Sequence, residues 1–251
     1  MLEVRGLTKQ FGALRASDGI DFDVADGETH AVIGPNGAGK TTFIGQLAGN
    51  LRPDSGTVRF AGSDITALPA PRRARLGLAR SFQITSVYPD FSVLQNVALA
   101  IQAHAGHSFR FWRDARSDPA LIEPAKKILN DLGLAERSQV LAGNLAHGEQ
   151  RQLEVAIALA TAPRLLLLDE PMAGMGIEES QLMIALLASL KRRHTIILVE
   201  HDMDAVFRLA DRISVLVYGE IIATDTPERI RANAAVQEAY LGSAIAEHHH
   251  A

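Results

Sequence analysis

A lysine and a threonine closing a glycine-rich octapeptide are equipped to hold phosphate. The segment Gly34-Pro35-Asn36-Gly37-Ala38-Gly39-Lys40-Thr41, followed by Thr42, fits the pattern in which glycines let backbone N–H groups close around phosphate oxygens. Lys40 then serves the β- and γ-phosphates, and the Thr41 hydroxyl serves a magnesium ion. Asp169 and Glu170 follow four leucines, Leu165 to Leu168, which puts two carboxylates at the carboxyl edge of a sheet, where ligands of open α/β sheets bind. Asp169 suits magnesium, and Glu170 suits the orientation and deprotonation of an attacking water. A helix N-terminal cap is the alternative for this pair, since Pro171 follows. His201 ends another apolar run, Thr195 to Val199; taken alone it reads as a metal or structural histidine.

These groups need elements to position them. Thr29 to Ile33 is short, apolar and partly β-branched, and it runs into the glycine loop and then the helical pattern Thr41 to Ala48, the strand–loop–helix order a phosphate loop demands. Leu2 to Arg5, Ile20 to Val24 and Thr57 to Phe60 read as strands separated by Asp-Gly and Asp-Ser-Gly turns, an antiparallel element beside the nucleotide core. Val93 to Gln102, Pro119 to Leu132 and Glu149 to Thr161 read as an inserted set of helices. Arg164 to Leu168 and Thr195 to Val199 then alternate with the helical stretches Glu178 to Leu190 and Met203 to Ala210, which argues for a parallel sheet covered on both faces. Ile213 to Tyr218 and Glu220 to Thr224 form a hairpin around Gly219, and a short helical tail follows Pro227. The expected boundaries are a nucleotide-binding core over 1–86 and 164–226, a helical subdomain over 87–163 and a tail over 227–251.

Composition limits the rest. The 251 residues carry a net charge of −4 and no cysteine, so thiolate zinc sites, disulfide frameworks and cysteine nucleophiles are excluded, and nothing suggests the broad basic surface of a nucleic-acid binder. The start is no signal peptide, and the apolar runs fall far short of the ~18 residues of a spanning helix. A membrane role therefore requires another chain. Arg72, Arg73, Arg75 and Arg80 cluster locally and read as a solvated surface, with a partner or lipid surface as the alternative. His248 to His250 read as a disordered end or expression remnant. His147-Gly148-Glu149 imitates the H-x-E of zinc deaminases, a reading the absent cysteines remove.

The arrangement resembles the ATP-binding-cassette ATPases over nearly the whole chain. Leu145-Ala146-His147-Gly148-Glu149 stands where that family carries its signature, Leu-Ser-Gly-Gly-Gln or a close variant, and Gln150-Arg151-Gln152-Leu153 opens the expected helix. The resemblance implies an α/β fold with a P-loop NTPase core, and a head-to-tail dimer with a second cassette subunit, identical or paralogous. In that dimer Gly148 and Glu149 close over the γ-phosphate of the partner's ATP. It also implies that Gln83 is the Q-loop glutamine and a Mg2+ ligand with Thr41 and Asp169, and that His201 is the switch histidine. The resemblance further implies that Phe11 is the aromatic that stacks on adenine, with a place in the core as the alternative.

Ala146 stands for the signature serine, His147 for a glycine, and Gly176 for the usual D-loop aspartate. The resemblance implies an active but slow motor, with His147 either a substitute donor or a solvent-facing side chain. Ala79-Arg80-Ser81-Phe82-Gln83, Phe91 to Val97, Val199 to Met203 and Ala239-Tyr240-Leu241-Gly242 are similar to the branched-chain amino acid uptake subgroup. That implies two membrane permease subunits, an external substrate-binding protein, no nucleic acid, and a peripheral place on the cytoplasmic face of the inner or plasma membrane. The rivals are the ATPase of a lipopolysaccharide exporter and a soluble non-transport cassette protein. A GTPase is excluded by the missing Asn-Lys-x-Asp motif.

Overall fold

The computed structural model describes residues 1–81, 87–105 and 118–239. Among the described residues the strands make two sheets, one of four strands and one of six, with helices between and around them.

The first sheet is antiparallel, in the order β2-β1-β4-β5, from β1 (Leu2–Phe11), β2 (Leu14–Val24), β4 (Ser55–Phe60) and β5 (Ser63–Asp64). Its strands outrun the sequence expectation, because β1 and β2 continue past irregularities in register to the hairpin pair Phe11 and Leu14. The second sheet, in the order β10-β9-β3-β8-β7-β6, comprises β3 (Thr29–Ile33), β6 (Leu78–Arg80), β7 (Leu165–Asp169), β8 (Thr195–Val199), β9 (Arg212–Val217) and β10 (Glu220–Asp225). Its pairings are parallel except for the β9–β10 hairpin. Every residue of β3, β7 and β8 is buried. That is why these strands read as unbroken apolar runs: a parallel sheet is covered on both faces.

Helix α1 (Lys40–Ala48) lies between the sheets, with Phe43, Ile44 and Leu47 in one core with Leu2, Val4, Phe22 and Leu167. A second core joins α3 (Val93–Ala105), α4 (Pro119–Asp131), α5 (His147–Leu159) and α6 (Ile177–Leu190) over the face of β7 and β8. In α4 the buried residues are Leu121, Ala125 and Leu129, one stripe at a spacing of four, and the Asp118 side chain accepts from the Ala120 N–H to cap it. Helices α7 (Met203–Leu209) and α8 (Pro227–Ala232) cover the other side, where Val206 and Ile230 meet Ile33 and Val215.

Half of the arginine cluster departs from expectation: Arg72 and Arg75 are exposed, whereas Arg73 and Arg80 are not. Arg73 belongs to α2 (Ala70–Arg75) and is 1% exposed. Its guanidinium donates to the carbonyl oxygens of Gln46 and Leu47, which end α1, and to those of Thr66 and Leu68. A helix C-terminus leaves such carbonyls without partners, and a cation there also meets the negative end of the helix dipole. Burial pulls Arg73 down to about 10, which leaves it charged at neutral pH. Arg80 is also inside, as the site shows. Arg73→Met is expected to lower the unfolding free energy by about 3 kcal/mol in urea titration, because the carbonyls lose a charged donor. A loss below about 1 kcal/mol would mean that they find other partners.

Candidate active site

The glycine loop connects β3 to α1, and Gly39 caps that helix without a side-chain hydrogen bond. The first-turn N–H groups are therefore open to an anion, aided by the helix dipole. Asn36, Gly37 and Thr41 are exposed, while Pro35, Gly39 and Thr42 are half-buried and Gly34, Ala38 and Lys40 are buried. The Lys40 ammonium donates to the carbonyl oxygens of Gly34 at 2.7 Å and Pro35 at 3.0 Å. Burial lowers the Lys40 pKa, and the charges of Glu170 and Asp169 oppose that shift. The loop lysine and the two carboxylates thus share one electrostatic neighbourhood.

Asp169 ends β7 and Glu170 follows it. The Glu170 backbone lies at φ +50°, a left-handed conformation that costs a residue with a Cβ on the order of 1–3 kcal/mol and is uncommon before proline. Its N–H donates to Val199 O, and its carbonyl accepts from Ala173 N–H. The strained turn aims the carboxylate at His201, whose Nε2 lies 2.6 Å from Glu170 Oε1. With Nε2 protonated, His201 donates this bond. The two carboxylates thus take separate directions, which a helix cap would not require. Glu200, buried beside them, accepts from the N–H groups of Met172 and His201. Burial pushes the Glu200 carboxyl up, against the effect of those N–H donors. Glu200 therefore ties the turn after Glu170 to the backbone that carries His201.

Asp169 is paired with Arg80, Nη2 to Oδ2 at 2.8 Å, and both side chains are largely buried. The parallel pairing of β6 with β7, Arg80 opposite Leu167, makes this contact possible. Asp169 Oδ1 is buried with no hydrogen-bond partner among the described residues. A hard cation fits this oxygen donor set: one free, buried carboxylate oxygen, with the Thr41 hydroxyl at the exposed start of α1.

Phe11 is 48% exposed at the end of β1, with the Lys9 ammonium 5.5 Å from its ring centre, so the core alternative does not hold. The signature segment stands elsewhere. Among the described residues, no hydrogen bond or ion pair links His147 to Gln150 with Lys40, Asp169, Glu170 or His201. Glu149 accepts from Arg137 Nε at 2.7 Å and from Ala146 N–H at 3.0 Å. Gly148 N–H donates to Glu179 Oε1 at 3.2 Å. His147 is exposed, with its ring over Gly174. Gln83 lies outside the described residues.

Sequence reasoning missed Arg80, Glu200 and Glu179. Glu200 had one available signal, adjacency to His201. Arg80 had only its place in an arginine run, which pointed to solvent.

Comparison with known proteins agrees with this geometry. Residues 17–173 match the ABC transporter family, and residues 220–246 match the family described as branched-chain amino acid ATP-binding cassette transporter. The chain is 40% identical to the high-affinity branched-chain amino acid transport ATP-binding protein BraF of Pseudomonas aeruginosa, over 97% of this chain and 98% of that protein. It is 38% identical to the corresponding LivG protein of Escherichia coli, at the same coverage. Among solved structures, the ADP conformation of an ATP-binding cassette from an ABC transporter superposes with a TM-score of 0.85 at 29% identity, covering 96% of this chain and 98% of that one. A nucleotide-free cassette superposes with a TM-score of 0.84 at 28% identity, at the same coverage.

Proposed function

The chain belongs to the ABC transporter family, and we propose that it is the ATP-hydrolysing subunit that powers uptake of branched-chain amino acids, or related small amides and carboxylates, through separate permease subunits. The observation that carries the ATPase reading is the 2.6 Å Glu170–His201 contact at the sheet edge beside Lys40 and Asp169. The match over residues 220–246 supports the cargo class, and the relatives do not favour a lipopolysaccharide exporter. In this reading residues 1–86 and 164–226 are the nucleotide-binding core, 87–163 the helical arm and 227–251 a tail.

ATP lies with its phosphates on the α1 N-terminus and its adenine against Phe11. Lys40 exchanges its two carbonyl partners for the β- and γ-phosphates. Asp169 and Thr41, with Gln83, would hold Mg2+, which neutralises phosphate charge when bound. Glu170 Oε1 accepts from His201, leaving Oε2 to take a proton from water. The water oxygen bonds to the γ-phosphorus, the bond to the bridging β,γ-oxygen breaks, and its electron pair leaves with ADP. A second cassette subunit faces the first, so that Gly148 and Glu149 of each meet the other's ATP. The subunits dock on two permeases at the cytoplasmic face of the membrane, and a binding protein on the external side completes the assembly. Among the described residues no helix is long and apolar enough to cross a membrane, in keeping with a peripheral subunit.

The test is purification of the tagged chain from detergent-solubilised native membranes. Two permease-type proteins should accompany it, and the complex should hydrolyse ATP faster when leucine-loaded binding protein is added. Soluble partners alone would overturn the transport reading.

Arg80 supplies a narrower expectation. Arg80→Met leaves the Asp169 carboxylate buried without its cation, so the nucleotide-free protein should lose about 3 kcal/mol of stability. Saturating Mg2+ and ATP should recover much of that loss in thermal melts, by supplying positive charge at the same carboxylate. Equal losses with and without Mg2+ and ATP would contradict the placement of the metal at Asp169.

A further inference from the structure

The two positions where this chain lacks the family's polar side chain, Ala146 and Gly176, are the N-caps of α5 and α6, and neither makes a side-chain cap. Helix starts leave N–H groups that need acceptors. One carboxylate reaches both helices: Glu179, in the first turn of α6, accepts from Gly176 N–H through Oε2 and from Gly148 N–H through Oε1, each at 3.2 Å. The bond to Gly176 is local and caps α6. The bond to Gly148 crosses between helices and is not needed for that purpose.

From this geometry we infer that Glu179 is a resident anion on the signature amide, which the γ-phosphate of a partner subunit's ATP must displace. The inference rests on the reading above that Gly148 faces a nucleotide held by a second subunit. The amide of Gly148 sits at the start of a 13-residue helix, where the dipole favours negative charge. In the single chain that position is filled by Glu179. A phosphate oxygen taking the same N–H would come within a few ångströms of the carboxylate, and like charges so close repel. Glu179 therefore has to release Oε1 while Oε2 stays on Gly176. Each assembly of two subunits then includes the cost of breaking this contact twice, which raises the ATP concentration at which subunits join.

The direction of the effect distinguishes this role from simple support. If Glu179 only held the signature in place, removing it would weaken assembly; if it competes with phosphate, removing it strengthens assembly. Glu179→Gln keeps the size and loses the charge. Glu179→Asp keeps a cap on Gly176 and shortens the reach to Gly148. Both should lower the ATP concentration for half-maximal self-association by about threefold to tenfold, the worth of one modest hydrogen bond per exchange. Sedimentation of the full chain against a non-hydrolysable ATP analogue reads this directly. Binding of a fluorescent ATP analogue to the subunit's own Lys40 site, at protein concentrations too low for association, should stay within about twofold, so the change is assigned to the partner face.

An unchanged or raised half-maximal concentration in both variants would overturn the competition. If the unaltered chain never self-associates with nucleotide, even at high protein concentration, the two-subunit reading itself falls, and the competition with it.

Discussion

Glu170→Gln should bind ATP with affinity within about threefold of the unaltered protein and hydrolyse it about a thousandfold more slowly, inside the range that positioned general bases supply. The substitution keeps the size of the side chain, and its amide oxygen can still accept from His201 Nε2, so the 2.6 Å contact has a counterpart in the variant. What is lost is the capacity to take a proton. The left-handed backbone at φ +50° is held by hydrogen bonds at Val199 and Ala173 that do not involve the side chain, so the turn itself should persist. Single-turnover measurements with saturating ATP separate chemistry from binding, and full turnover in this variant would show that another group is the base.

Gly39→Ala should be among the most damaging single-methyl changes at the described residues. Gly39 sits at φ +106°, and a Cβ there would lie 2.1 Å from the carbonyl oxygen of Ala16, a backbone atom in β2 that cannot swing aside. Either the loop or the strand must move, at a cost of about 3 kcal/mol or more in stability. ATP affinity should fall at least about a hundredfold, because the amides that face phosphate move with the loop. Gly37 gives the internal comparison. Its φ is also positive, at +78°, but a Cβ would meet nothing within 4 Å. Gly37→Ala should cost only about 1–2 kcal/mol in thermal or urea unfolding, from the backbone alone. Equal costs at the two positions would show that the clash with Ala16 relaxes freely.

Much of this was written locally in the chain. The glycine loop, the Leu165 to Asp169 strand and the run into His201 each carry their meaning within about ten residues, because strand burial and loop geometry are short-range matters. The residues that were misread act over distance. Arg80 looks like one of four arginines in a polar stretch until β6 pairs with β7 and sets it beside Asp169, 89 positions away. Arg73 was legible only once α1 was known to end against it. Glu179 gives no signal at all, since its partner Gly148 lies 31 positions upstream on another helix. The antiparallel strands were placed correctly but cut short, since their outer halves alternate with exposed polar residues and carry little apolar pattern.

The glycine loop is pressed between the two sheets, with Gly39 under Ala16 O and Gly34 under Leu216 O, the latter 2.0 Å from where a Cβ would stand. Both neighbours are main-chain oxygens. These two contacts therefore depend on where the main chain runs, while the buried side chains of Ala16 and Leu216 answer to core packing. An inserted or deleted residue in β2 or β9 is another matter, because it slides a different carbonyl over the loop. Lineages descended from this chain should hold the lengths of these two strands fixed even where apolar side chains within them are exchanged.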